Sequence, residues 1–172
     1  MATLCGGYVA HAASAADVAS STPPDSATVD TYSLSYAATT RLLDNATAAA
    51  KSHQLALSFA IVDPGGHLIA AARMDGAPFA SVDFARGKAF ASVALGGQAG
   101  ATLEQRFKDN PSEYTNMSAA GYYAPFLPAR GALPIFIGGH LVGALGASGA
   151  PSEVDEQAVK DAIEAIGATS TR

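Results

Sequence analysis

Residues 72–91, ARMDGAPFASVDFARGKAFA, set Arg73, Asp75, Ser81, Asp83, Arg86 and Lys88 on either side of a Gly-containing turn. Cations at that density suit an anionic ligand, because guanidinium and ammonium groups hold carboxylates by charge-assisted hydrogen bonds. Ser81, Ala85, Lys88 and Ser92 fall at i, i+4, i+7 and i+11, which is one stripe of a helix. Arg73 leaves the preceding strand just before the turn. If the stripe faces the end of the sheet, Lys88 and Arg73 converge on one anion, with Asp75 holding one of them. The plainer alternative is an Arg73–Asp75 or Lys88–Asp pair that only pins the turn.

Other chemistries are weaker. The histidines at 11, 53, 67 and 140 are scattered, with no His-x3-His or Cys-x2-Cys, so a preformed structural zinc site is not expected. Glu153 and Glu156 share a face of the last helix, where acids suit the helix dipole; a surface iron or calcium contact is the alternative. GALGASGA resembles a Gly-x-Ser-x-Gly elbow around Ser148, but position 150 is Ala and His140 lies far along the same strand. GGQAGATLE (96–104) lacks the Gly-Lys-Ser/Thr ending of a nucleotide P-loop and follows no strand. The Asn45 and Asn116 sequons are discounted, the first because it falls within a helical pattern.

The elements that must position these groups follow from period and punctuation. Leu34, Ala38, Leu42, Ala46 and Ala49 give a helix from Ser33 to Ser52-His53. LALSFAIVD (55–63) and HLIAAARM (67–74), split by Asp63-Pro64-Gly65-Gly66, read as a β-hairpin. Ser81 is the expected N-cap of a helix over 82–95, ended by Gly96-Gly97. Thr102 and Gln105 suggest a capping box for a shorter helix over 103–109. Residues 108–132 read as a long loop, broken by Pro111, Pro125 and Pro128 and filled by Tyr114, Tyr122, Tyr123 and Phe126; such loops tend to be functional or mobile. A second hairpin turns at Gly138-Gly139, and a last helix opens near Pro151 and ends at Gly167. Hairpins imply antiparallel pairing, and with helices packed on the sheet the class is α+β.

Bulk properties bound the function. At 172 residues the chain suits one domain, with net charge -5 and no Lys/Arg cluster, so a nucleic-acid surface is not expected. No apolar run is long enough for a membrane span. Residues 1–31 read as an Ala/Ser/Thr-rich tail preceding a domain over 32–172. The tail holds the lone cysteine, Cys5, and two small-x-small sites, Ala10-His11-Ala12 and Ala13-Ser14-Ala15. The expectation is the remnant of an export signal from a longer precursor, giving a periplasmic or secreted protein; the alternative is a plain tail on a cytoplasmic one.

The pattern also resembles a known family. VDPGGHLIAAARMDGA (62–77), the signature Ser81…Ala85…Lys88-Ala89, and LPIFIGGHLVGALGASGA (133–150) followed by Asp155 are similar to the GlcG/HbpS-like family, also labelled DUF336, whose members bind or degrade haem. The resemblance runs from about Ser33 to Gly167. It implies a profilin-like antiparallel sheet flanked by helices, a homo-oligomer, and haem as a cofactor in some members, with no shared catalytic signature. One member's surface Glu-x-x-Glu iron site is not matched, since this chain has Ser81-Val82-Asp83-Phe84 there.

Two functions stand side by side at this point. In the first, the protein binds haem or a small carboxylate ligand. Arg73 and Lys88 meet the carboxylates, Asp75 and Ser81 complete the binding site beside them, and the 108–132 loop with Tyr114 forms an aromatic wall. Tyr114, His53 and His140 are the candidate ligands of the haem iron, as tyrosine and histidine are both established ligand types. In the second, the protein is a small-molecule enzyme or accessory factor in organic-acid or aromatic catabolism. Lys88 or a loop tyrosine is then the acid/base, and Arg73 orients a substrate carboxylate.

Overall fold

The computed structural model describes residues 29–172, and residues 31–172 form one compact unit. The export-signal reading, Cys5 and His11 lie outside the described residues. The order is α1 (Tyr36–Ser52), β1 (Ser58–Val62), β2 (Leu68–Arg73), α2 (Ser81–Ala94), α3 (Gly100–Asp109), α4 (Pro111–Ser118), β3 (Ala132–Ile137), β4 (His140–Ser148) and α5 (Ser152–Ala165). The four strands make one antiparallel sheet in the order β2-β1-β4-β3. This is the α+β architecture that the hairpins predict.

β1 is buried along its whole length because helices cover both of its faces. Phe59 and Ile61 point to one face, where with Leu145, Leu133 and Ile135 they meet Leu42, Val159 and Ile163 of α1 and α5. Val62 points to the other and packs with Ala144 against Ala89 and Val93 of α2. On that second face the contact is made by small residues. A Cβ on Gly146 would overlap the carbonyl oxygen of Ala85, so α2 lies directly on the β4 backbone. Pro134 sits on β3, an edge strand, where the missing N–H costs no ladder bond inside the sheet. Thr169 exchanges backbone hydrogen bonds with Phe136 and covers part of that edge.

Three local expectations need correction. α1 begins at Tyr36 and not at Ser33, with Ser35 as its N-cap, the hydroxyl accepting from the Ala38 N–H. Ser81 is the first residue of α2, not its N-cap; its hydroxyl donates to Pro78 O at 2.6 Å and bonds Ser58 Oγ at 2.7 Å. α3 begins at Gly100 with Ala99 as N-cap, so Thr102 and Gln105 lie inside the helix and form no capping box. Within residues 108–132, Pro111 opens α4, because a proline at the first helical position sacrifices no hydrogen bond.

Candidate ligand-binding site

The Ser81, Ala85, Lys88, Ser92 stripe of α2 does face the sheet, and all four residues are buried. Lys88 and Arg73 nonetheless do not meet. The Lys88 ammonium donates to Asp155 Oδ2 and to Ala147 O, each at 3.0 Å, and is 7% exposed against 1% for its carboxylate partner. Asp155 Oδ1 accepts the Ala150 N–H at 3.1 Å, which fixes the turn from β4 into α5. Lys88 is thus bound at β4, while Arg73 ends β2 on the far side of β1. Neighbouring strands lie about 4.8 Å apart, which separates those two backbones by roughly 10 Å. Arg73 and Asp75 instead line an open groove of about 320 Å³ against Thr47 and Lys51 of α1, with Met74.

The other candidates also disperse. His53 follows α1 at a surface shared with Leu55, Val154 and Gln157. His140 opens β4 and stacks on Tyr32, with ring centroids 3.9 Å apart. Ser148 is buried at the opposite end of β4 from His140. Glu153 and Glu156 both turn to the Arg130 guanidinium, at 3.1 and 3.8 Å.

What the structure brings together is aromatic. Starting from the β1–β2 turn, His67 stacks on Tyr123 at 5.3 Å, Tyr123 meets Phe90 edge-on at 5.3 Å, and Phe90 meets Tyr122 at 5.5 Å. Tyr122 continues to Phe126 at 5.4 Å, and Phe126 to Phe107 and Tyr114 at 6.0 and 6.4 Å. Such ring pairs stabilise beyond the area they bury. The seven rings run continuously over the outer side of α2 and α3. Tyr123 is 58% and Tyr122 38% exposed, so the run presents an apolar surface to solvent.

Specific contacts hold the segment in place. The Tyr123 hydroxyl donates to Gly65 O, and Leu127 N–H donates to Gly87 O at 3.2 Å. Gly66 has φ 84°, and a Cβ there would lie 2.7 Å from Phe90 and 2.8 Å from Tyr123 Oη. His67 is oriented by Asp63, whose carboxylate accepts its backbone N–H at 2.9 Å and lies 3.3 Å from Nδ1. At the other end Tyr114 lines an open depression of about 200 Å³ with Glu104, Phe107, Lys108, Leu127 and Pro128. Glu104 is held below the usual carboxylate range, chiefly by its hydrogen bond from Lys108 and then by the Arg130 backbone N–H. Glu113 raises the Arg106 guanidinium by hydrogen bonding.

Tyr114 is the one iron-ligand candidate from the sequence that lies in this run. His67, Phe90 and Phe107 are residues of this run that the sequence reading does not mark. A signal did exist for Phe90, a large ring off the small-residue stripe of α2, one turn after Arg86.

Fold and geometry now define the class: a small α+β protein with an exposed aromatic surface suited to a flat apolar ligand. Residues 34–164 match the family model described as "Haem degrading protein HbpS-like", and the chain belongs to that family. Among solved structures it is similar to the PduOC–haem complex at 25% identity and TM-score 0.69, covering 81% of this chain and 99% of that one. It is similar to HbpS at 26% identity and TM-score 0.70, covering 81% and 94%. The Klebsiella pneumoniae protein ORFY shares the fold at 21% identity and TM-score 0.73, covering 84% and 98%. No protein of curated function matches the sequence.

Proposed function

We propose that the protein binds haem against the aromatic run between His67 and Tyr114. The observation that carries this reading is the exposed pair Tyr122 and Tyr123, anchored on Phe90 and flanked by further rings. A flat macrocycle needs an extended apolar contact, and stacking on rings supplies it without a deep pocket. The open depression at Tyr114, about 200 Å³, is smaller than the roughly 300–1,000 Å³ of ordinary ligand pockets, so the macrocycle lies along the surface and is not enclosed there. Tyr114 and His67, at opposite ends of the run, are among the residues of this surface able to hold the iron, with Tyr122 between them, and a bound haem would supply a redox-active metal there. His53 and His140 sit at other surfaces. A membership of the haem-degrading HbpS-like family and the likeness to a protein solved with haem support the reading.

The proposal extends to a homo-oligomer, which the exposed Phe79 (84%) and Phe84 (52%) beside the start of α2 support as subunit contacts. It also places the protein in the periplasm or outside the cell, on the small-x-small sites ahead of residue 16. Among the described residues no helix is long and apolar enough to cross a membrane. The acid/base role for Lys88 gains no support, since both Asp155 and Ala147 occupy its ammonium.

Haemin titration tests the reading. The expected result is a Soret shift that saturates near one haem per chain. Replacing both Tyr122 and Tyr123 by Ala weakens binding by about tenfold or more, at ~0.5–1.5 kcal/mol per lost ring contact. Arg73→Ala leaves it unchanged. Absence of a Soret shift in the unmodified protein contradicts the proposal.

A further inference from the structure

Arg86 and Phe90 lie one turn apart on α2 and share a helix face. Phe90 is the ring against which both Tyr122 and Tyr123 pack, so α2 directs a guanidinium toward the same side of the molecule as the aromatic surface. Arg86 is half-buried, and its Nε is buried without a hydrogen-bond partner. Most cations on this part of the fold are engaged: Lys88 by Asp155, Arg106 by Glu113, Lys108 by Glu104 and Arg130 by Glu153. Among the described residues Arg86 enters no such pair, although Asp83 stands one turn before it.

A buried donor without an acceptor is costly, and a turn of the half-buried Arg86 side chain that brings Nε to a ligand oxygen recovers that cost. Nε–H and one Nη–H of an arginine form a fork that matches the two oxygens of a carboxylate. We infer that Arg86 is the carboxylate anchor of the aromatic site. It takes an acid side arm of a flat ring ligand whose body rests on Tyr122 and Tyr123. Arg73 and Lys88 do not serve this purpose, the first lining a different groove and the second being consumed by Asp155. The inference rests on the haem reading for the identity of the ring, and it adds that the acid arms, not the ring alone, are recognised.

The test compares haemin with haemin dimethyl ester, in which the carboxylates are capped. The unmodified protein should bind the diacid about tenfold or more tightly than the diester, the range of one charge-assisted hydrogen bond. Arg86→Gln should lose that preference while keeping its affinity for the diester. Arg86→Lys, which keeps the charge but not the fork, should recover only part of the preference, and Arg73→Gln should retain all of it. Unchanged circular dichroism and melting temperature establish that Arg86→Gln folds; should it fail to fold, the unmodified protein and Arg86→Lys still decide. Equal affinity for diacid and diester in the unmodified protein overturns the inference and leaves the haem reading standing. Binding of neither porphyrin overturns both.

Discussion

The two faces of the sheet are built on opposite plans. The face under α1 and α5 puts its large side chains inside: Leu42, Phe59, Ile61, Leu145 and Ile163 are fully buried against one another. The face under α2 puts Ala, Gly and Ser inside, with Ala89 and Val93 on Val62 and Ala144, and Gly146 directly beneath Ala85. Its rings run from His67 to Tyr114, with Phe90 and Phe107 buried and His67, Tyr122 and Tyr123 exposed. One face is a conventional core. The other lies so close to its helix that only small residues fit between them, and the exposed rings stand away from the sheet. The two layers are also joined by charge at the end of β4, where Lys88 of α2 meets Asp155 of α5.

That arrangement can be broken at the ion pair. Asp155→Ala leaves a buried ammonium without its counter-charge, a change that costs on the order of 3–5 kcal/mol. The melting temperature should fall by about 10 °C or more. Replacing the pair together, Lys88→Met with Asp155→Leu, should recover most of the loss, because a buried ion pair exchanged for apolar residues of similar volume is often near neutral. A fall of only a degree or two in Asp155→Ala, by thermal unfolding, would show that charge does not hold the two layers together.

The smallest expected effect concerns pH. Glu104 is half-buried, and its pKa in the folded chain is lowered from 4.5 by Lys108 and the Arg130 N–H. Its contribution is therefore complete above the unfolded value near 4.5 and is lost as the pH falls below that through the folded one. The pair with Lys108 is largely exposed, so the contribution is under about 1 kcal/mol. Glu104→Gln should flatten the acid limb of the stability–pH curve slightly and leave stability at pH 7 almost unchanged. A large loss at pH 7 would mean that Glu104 holds the wall of the Tyr114 depression by more than these bonds.

Much of the framework was legible in the sequence because it depends on local pattern. The period of Leu34 to Ala49, the two Gly-punctuated hairpins and the Ser81-to-Ser92 stripe each lie within a few residues of one another, and each appears in the fold. The site was less legible because its parts are distant. Lys88 finds Asp155 across 67 positions, and no period of 3.6 or 2 reports such a pairing. His67, Phe90, Phe107 and Tyr114 come from four separate elements, and only the close approach of α2 to the sheet aligns them. Position along the chain suggested that Arg73 and Lys88 share a site, since both flank one turn. Strand order separates them, with β1 standing between β2 and β4. The α4 helix was hidden for a different reason: its eight residues carry no buried side chain, so no apolar stripe marks it.

The central claim is that a bound haem lies on the aromatic run. Iron(III) in haemin broadens the NMR signals of nearby protons, so tyrosine ring resonances locate it. With one equivalent of haemin, the signals of Tyr122, Tyr123 and Tyr114 should broaden strongly, while those of Tyr36 and Tyr32, on α1 and beside His140, stay sharp. Broadening of Tyr32 or Tyr36 with Tyr122 and Tyr123 unaffected would place the haem on another surface and contradict the account.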